Sequence, residues 1–134
     1  MTTKRFYRVF AIVWLLVVAV LSLIPVPKGV NMVSDKTIHF FFYLITSMIV
    51  YLSISNEKFV RSLSITVISV LFYGIFLEVL QSLVPYRTFS IYDIIANTLG
   101  IVTYIVFYVV YHITRTRYST SLHGRGDKDT KKET

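Results

Sequence analysis

The sequence contains no cysteine and only 3 prolines among its 134 residues. Without cysteine the protein has no thiol nucleophile, no thiolate metal ligand and no disulfide framework. Charged residues are also scarce: Asp, Glu, Lys and Arg make up 16% of the chain, whereas the hydrophobic set AVILMFWYC makes up 54%. This composition excludes a disordered chain, a disulfide-stabilised secreted domain and most soluble enzymes, and the length fits one domain.

Charged residues are missing altogether from long stretches of the chain. Residues 9–27, 37–56 and 94–114 contain none, and residues 62–86 contain only Glu78. A hydrocarbon core about 30 Å thick is crossed by about 20 helical residues, so each stretch is long enough to span a bilayer. The sequence therefore predicts an all-α fold, a small integral membrane bundle whose four transmembrane helices cover about residues 6–24, 37–54, 63–84 and 91–113.

The first apolar stretch follows Lys4, Arg5 and Arg8, a pattern that a secretory signal peptide also shows. The apolar run continues to Ile24, however, and the segment Pro-Val-Pro-Lys at residues 25–28 stands in place of a small-residue cleavage site. We therefore predict an uncleaved membrane anchor.

The distribution of basic residues predicts the orientation, because short loops rich in Lys and Arg stay in the cytoplasm. Four spans place eleven of the 14 Lys and Arg residues on the side that holds both termini, and only Lys28, Lys36 and Arg87 on the other side. We therefore predict that both termini are cytoplasmic. The transmembrane domain covers residues 1–114, and residues 115–134 form a disordered basic cytoplasmic tail.

Polar residues occur on one face of three predicted helices, at spacings of three and four residues. The predicted topology places the start of span two, the end of span three and the start of span four at the outer end of the bundle. An ionisable side chain at the bilayer centre costs about 2.5 to 3.5 kcal/mol, so intramembrane acids usually face the bundle interior and have partners. We therefore predict one outer-leaflet cluster made of Asp35, Lys36, His39, Tyr43, Glu78, Gln81, Arg87, Asp93 and Asn97.

Some of these residues also have a purely structural interpretation. Ser90, with Asp93 three residues on, resembles a capping box for the fourth helix, and Gly74 and Gly100 are typical of close helix contacts in membranes. Glu78 has no helix end to cap and lies inside an apolar helix. A functional role or a buried pair therefore explains Glu78 better than capping does.

Four short segments carry the polar cluster. In chain order they are Asp35-Lys36-Thr37-Ile38-His39-Phe40 with Tyr43, then Glu78-Val79-Leu80-Gln81, then Pro85-Tyr86-Arg87, and finally Asp93-Ile94-Ile95-Ala96-Asn97-Thr98-Leu99-Gly100. Together they resemble the VanZ-like family of bacterial membrane proteins, over about residues 25–108. The family's namesake is associated with resistance to the glycopeptide antibiotic teicoplanin. The resemblance therefore implies a multi-pass protein of the bacterial cytoplasmic membrane with a role in the cell envelope or in glycopeptide resistance.

The leading functional hypothesis is that the cluster forms an outward-facing polar pocket for an anionic envelope molecule. The ligand would be a lipid-linked envelope precursor or a phospholipid headgroup. Lys36 and Arg87 would contact its phosphate or carboxylate, and Arg87 would do so with two parallel hydrogen bonds. The ligand and these two cations would be oriented by Asp35, Tyr43, Gln81, Asn97, Glu78, His39 and Asp93.

A second hypothesis makes the same cluster catalytic. His39 would exchange protons in hydrolysis or transfer on a lipid headgroup, with Glu78 or Asp93 positioning it or acting as the base. A variant of this hypothesis places a metal ion on His39, Glu78 and Asp93. The sequence shows no nucleophile motif and no phosphate-binding glycine loop, so we predict no cofactor and no metal, and the assignment of an enzyme stays open.

A third hypothesis is architectural: the cluster holds the helices together, and function lies in contacts with another membrane protein or with further copies of the chain. Nucleic acid is not an expected partner, because the basic residues lie beside the apolar stretches and not on one folded surface. Transport is disfavoured because no polar stripe is evident through the cytoplasmic half of the spans.

Overall fold

The computed structural model describes residues 3–24, 32–55, 58–85 and 87–130, and these residues form helices and short connections without a strand. The helices are α1 (Thr3–Leu23), α2 (Met32–Ile54), α3 (Phe59–Ser82) and α4 (Ile91–Thr130). All four are long and apolar enough to cross a membrane. The predicted all-α bundle of four transmembrane helices is confirmed, and the cytoplasmic location of the termini stays a prediction.

The chain divides into two compact units, Met1–Tyr104 and Ile105–Thr134. The first unit contains α1, α2, α3 and the first turns of α4, and it holds every residue of the predicted polar cluster. The second unit is the remainder of α4, which is helical as far as Thr130 and so continues past the predicted end of the fourth span. The disordered tail predicted for residues 115–134 stays a prediction, and the part that the structure describes is helical.

The first unit buries both polar and apolar side chains, and its surface is largely apolar. Large apolar side chains are exposed on every helix, for example Leu16, Phe41, Phe72 and Leu99. Lipid tails are as apolar as leucine, so these side chains lose nothing by facing the bilayer. Polar groups are buried instead because they find partners only in the bundle interior. The buried polar residues are His39, Thr46, Ser47, Ser53, Ser62, Thr66, Glu78, Gln81, Asp93 and Asn97.

Side-chain hydrogen bonds attach α1 to its neighbours. The indole Nε1 of Trp14 donates to Oγ1 of Thr46 on α2, over 2.9 Å. The hydroxyl of Tyr73 on α3 donates to the carbonyl oxygen of Leu15. Because each bond joins two helices inside an apolar solvent, these contacts determine how α1 is seated against α2 and α3.

Two glycines allow a close approach between helices. A Cβ atom added at Gly100 of α4 would overlap the backbone carbonyl oxygen of Phe40 and lie 3.0 Å from the backbone nitrogen of Leu44, so α4 rests directly on the backbone of α2. A Cβ added at Gly74 of α3 would lie 2.8 Å from Cε1 of the Tyr43 ring. The close-contact role that the sequence predicts for both glycines agrees with these distances.

Buried hydroxyl groups continue beyond the polar cluster, toward the opposite end of α2 and α3, where the sequence predicts no polar stripe. Ser47 donates to the carbonyl oxygen of Tyr43 over 2.7 Å, and Ser53 donates to that of Val50 over 2.7 Å. Each hydroxyl is thus satisfied by a carbonyl of its own helix. These hydroxyl groups are buried in the helix interface.

Candidate functional site

The site is built around an ion pair between the starts of α2 and α4. Lys36 Nζ donates to the carboxylate oxygen Oδ1 of Asp93, and it also donates to Oγ of Ser90 over 3.2 Å. The side chain of Asp93 is only 6% exposed, whereas that of Lys36 is 29% exposed. A buried carboxylate requires a partner of this kind, so the pair joins two helices that are distant in sequence.

The capping box predicted for Ser90 and Asp93 is wrong for the described residues. The carboxylate of Asp93 accepts from Lys36 and does not turn back to the Ser90 amide. The Ser90 amide donates to Oε1 of Glu78 on α3 instead, over 2.6 Å. Glu78 therefore does serve a helix end, contrary to prediction, because it supplies from α3 the acceptor that a capping side chain of α4 would supply.

Glu78 is the most deeply buried acid of the site, at 1% exposure. Its second carboxylate oxygen, Oε2, is buried and has no hydrogen-bond partner among the residues that the structure describes. Glu78 interacts electrostatically with Asp93, His39 and Lys36. One oxygen of the Glu78 carboxylate thus accepts from Ser90, and the other has no partner among the described residues.

His39 is oriented by Asn97. Its Nδ1 lies 3.0 Å from Oδ1 of Asn97. A side-chain carbonyl oxygen only accepts, so Nδ1 carries the proton and donates it to Asn97. The other ring nitrogen, Nε2, faces Oδ2 of Asp93 at 3.9 Å. Asn97 therefore fixes the orientation of the ring, with Nδ1–H toward Asn97 and Nε2 toward Asp93.

Asp35 and Arg87 complete the exposed side of the site. Oδ2 of Asp35 lies 3.9 Å from Nζ of Lys36, and its Oδ1 lies 4.0 Å from Nη1 of Arg87. Arg87 Nη2 donates to the carbonyl oxygen of Ile24 over 3.4 Å. Its Nε is buried and has no hydrogen-bond partner in the described part of the chain. The contacts that the described residues make with the Arg87 side chain are thus long ones.

Two predicted ligand-binding residues have other surroundings. Gln81 Nε2 donates to the carbonyl oxygen of Ser22 over 2.7 Å and so satisfies the end of α1. Tyr43 is buried against Gly74, and its hydroxyl has no hydrogen-bond partner among the described residues. The described side-chain contacts of Gln81 are thus with α1, and those of Tyr43 are with α3.

The model of the family described as VanZ/LLP1 matches residues 5–112, which is most of the chain. The chain belongs to the VanZ/LLP1 family. A protein of the fission yeast Schizosaccharomyces pombe, named Uncharacterized protein C11E3.10, is 35% identical over 114 residues, which are 84% of this chain and 67% of the yeast protein. No solved structure matches the chain.

Membership of the VanZ/LLP1 family confirms the resemblance predicted from four short segments. Together with the four apolar helices it identifies a multi-pass membrane protein. The bacterial host and the link to teicoplanin stay predictions. A protein similar to this chain occurs in a yeast, so this degree of similarity is not confined to bacteria.

In this VanZ/LLP1 chain the ligand-type atoms of Asp35, His39 and Asp93 all lie within 4.8 Å of one another. The metal variant predicted from the sequence used Glu78 in place of Asp35, whereas the structure joins Glu78 to the amide of Ser90. Sequence patterns assigned Ser90 only a capping role and missed that it links Lys36 to Glu78. No local signal predicts that link, because it depends on the path of the connection between α3 and α4.

Proposed function

We propose that this VanZ/LLP1 protein binds the anionic headgroup of a membrane lipid or of a lipid-linked envelope precursor. The binding site is the end of the bundle at which α2 and α4 begin. The observation that supports the proposal is the guanidinium group of Arg87, for which the described residues provide one hydrogen bond and no partner at Nε.

The donor count of Arg87 supports an anion receptor. A guanidinium group offers five N–H donors in a fixed fork. The described contacts of Arg87 are one hydrogen bond to Ile24 and an ion pair of 4.0 Å with Asp35. A phosphate or carboxylate accepts two parallel hydrogen bonds from such a fork. The side chain is 14% exposed although Nε is buried, so a headgroup would meet the Nη groups from the surface.

Lys36 is less suited to hold the ligand directly. Its ammonium group already donates to Asp93 and Ser90, so binding an anion would weaken a charge-assisted bond that joins α2 to α4. The proposal therefore gives the direct contact to Arg87, while Lys36 holds Asp93 in place. This assignment is narrower than the pair of cations predicted from the sequence.

Apolar side chains beside the polar site provide a place for lipid tails. Leu83, Phe89, Ile91 and Tyr92 are all exposed, and they flank the connection that carries Ser90. Exposed apolar groups next to a buried polar cluster suit an amphipathic ligand whose headgroup enters and whose chains stay outside. In the proposal the membrane is the bacterial cytoplasmic membrane and the site faces its outer leaflet, where a bound precursor would change susceptibility to a glycopeptide.

Replacing Arg87 with glutamine is expected to weaken binding of an anionic lipid about tenfold, because two charge-assisted hydrogen bonds are lost. Binding of dioctanoyl phosphatidylglycerol to the purified protein is measured in detergent by isothermal titration calorimetry. Dioctanoyl phosphatidylcholine and inorganic phosphate serve as separate arms, since they distinguish an anionic lipid from a zwitterionic one and from a free anion.

The matched control is Arg61→Gln, because Arg61 is an exposed arginine near the start of α3, at the opposite end of that helix. Its binding should equal that of the unchanged protein. Arg87→Lys should be intermediate, since a lysine keeps the charge but loses the fork. Equal affinity of Arg87→Gln and Arg61→Gln for phosphatidylglycerol would rule out the proposed contact. Folded yield is measured in parallel, since a purely architectural site predicts loss of protein instead.

The geometry of His39 favours chemistry on the headgroup as a second candidate function. Its Nε2 is directed toward Asp93 inside the site, and Glu78 interacts with it electrostatically. Glu78→Gln keeps an oxygen that accepts from the Ser90 amide but removes the carboxylate. An enzyme should then lose headgroup turnover at least about a hundredfold, as expected for a lost general base. Turnover is measured as headgroup or phosphate released from phosphatidylglycerol. If the unchanged protein binds phosphatidylglycerol but releases neither headgroup nor phosphate, the catalytic function is ruled out and the binding function remains.

A further inference from the structure

We propose that Asp35, His39 and Asp93 form a binding site for a divalent metal cation. Asp35 and His39 are four residues apart on α2 and therefore share one helix face. Asp93 reaches the same place from the start of α4, so that one ligand-type atom from each residue lies within 4.8 Å of the other two. One cation is thus able to contact all three side chains after small movements.

The orientation of His39 supports metal ligation. A histidine that binds a metal through one ring nitrogen usually donates the other N–H to an acceptor, which fixes the ring and the tautomer. His39 makes this arrangement with Asn97, 3.0 Å from its Nδ1. Nε2 is left as the ligand atom, on the side of Asp93.

Glu78 is an independent observation that points to a missing partner. Its carboxylate is 1% exposed, and Oε2 has no hydrogen-bond partner among the residues described. Leaving a buried carboxylate oxygen without a partner is costly in an apolar environment. The other oxygen of Glu78 accepts from the Ser90 amide, and Ser90 Oγ accepts from Lys36 beside Asp93, so water bound to a cation at Asp93 would stabilise Oε2.

The charge of the site explains why a cation would matter for ligand binding, and this step rests on the proposed function. With the three carboxylates ionised and His39 neutral, Lys36 and Arg87 leave a net charge of −1. If Glu78 holds a proton, the net charge is zero. In neither state does the cluster carry the excess positive charge that attracts an anion. A divalent cation changes the sum by +2 and makes the site complementary to a phosphate.

The ammonium group of Lys36 would compete with a metal ion for the carboxylate oxygens of the site. Its ammonium group lies against Asp93 and 3.9 Å from Asp35, so it occupies oxygens that the metal would use. Its side chain is 29% exposed and has a flexible stem, so it is able to turn toward solvent or headgroups when a metal binds. Removing this ammonium should therefore strengthen metal binding.

The ligand set favours Mn²⁺ or Zn²⁺ over Mg²⁺. Two carboxylates and one imidazole combine oxygen and nitrogen ligands, which both transition metals accept. Mg²⁺ prefers oxygen ligands in a near-ideal octahedron. Mn²⁺ is the more useful probe because free Mn²⁺ gives an electron paramagnetic resonance signal that weakens when it binds.

The test measures Mn²⁺ binding to the full chain, purified in detergent and stripped with EDTA, without any lipid. Asp35→Asn should weaken binding at least about tenfold, because a carboxylate ligand is lost while the buried Lys36 and Asp93 pair stays intact. Lys36→Met should tighten binding about tenfold, because a like charge is removed. The matched control Lys58→Met changes an exposed lysine at the other end of α2 and α3 and should have no effect.

Absence of Mn²⁺ binding, or an affinity that Asp35→Asn leaves unchanged, overturns the cation site. Phosphatidylglycerol binding is then compared in Mn²⁺ and in EDTA, and binding about tenfold stronger with Mn²⁺ supports the linking role. If the lipid binds equally well in EDTA, the linking role is overturned while the proposed function stands. If Mn²⁺ binds but the lipid binds in neither condition, the cation site stands and the proposed function fails.

Discussion

Replacing Asp93 with alanine is expected to lower the free energy of unfolding by about 3 kcal/mol, the lower part of the range for breaking one side of a buried pair. The carboxylate is the closest partner of Lys36 and faces His39. Without it an ammonium group stays in a poorly hydrated position between two helices. The partial exposure of Lys36 limits the loss, since the ammonium is able to reach water. The measurement is reversible unfolding of the purified protein in mixed micelles.

The control for this prediction removes the charge on both sides. Asp93→Leu combined with Lys36→Met replaces the ion pair by apolar side chains of similar size, which is often neutral or stabilising. The double variant should regain at least about 2 kcal/mol relative to Asp93→Leu alone. A double variant no more stable than the single one would mean that the pair contributes nothing, and that the Lys36 contact is incidental.

Replacing Gly100 with alanine is expected to lower the free energy of unfolding by about 2 to 3 kcal/mol, the upper part of the usual range for an overpacked interior. The added Cβ would meet the carbonyl oxygen of Phe40 and the amide nitrogen of Leu44, the two ends of one hydrogen bond in α2. A backbone cannot rotate away as a side chain does, so α4 must move. The preference of a helix for alanine, about 1 kcal/mol, acts in the opposite direction and is too small to compensate.

Gly74→Ala is the matched control, because the same atom is added where the obstacle is a side chain. The new Cβ would lie 2.8 Å from the Tyr43 ring, which is able to tilt. We expect a loss below about 1 kcal/mol, which Tyr43→Leu should relieve. No side-chain change on α2 should relieve Gly100→Ala. Equal losses for the two glycines would contradict the direct contact between α4 and the α2 backbone. Both variants are compared by unfolding in the same mixed micelles.

The hydrogen-bond partners of Glu78 and Gln81 could not be predicted from the sequence. The spacing of three residues correctly placed both side chains on the buried face of α3. They nevertheless bind backbone groups in opposite directions, the Ser90 amide before α4 and the Ser22 carbonyl of α1. Backbone groups have no residue signature, so a pattern of polar side chains does not reveal which of them is a partner.

The sequence by itself determined that four apolar helices form, and that His39, Glu78, Asp93 and Asn97 lie on buried helix faces near one end of the bundle. Both results depend on hydrophobic run length and on helical periodicity, which are local properties. Only the tertiary structure decided which groups pair. Lys36 binds the carboxylate of Asp93, His39 binds the side-chain amide of Asn97, and Glu78 on α3 accepts from the backbone amide before α4. These contacts depend on the rotation of each helix about its axis and on the path of the connections, which periodicity does not specify.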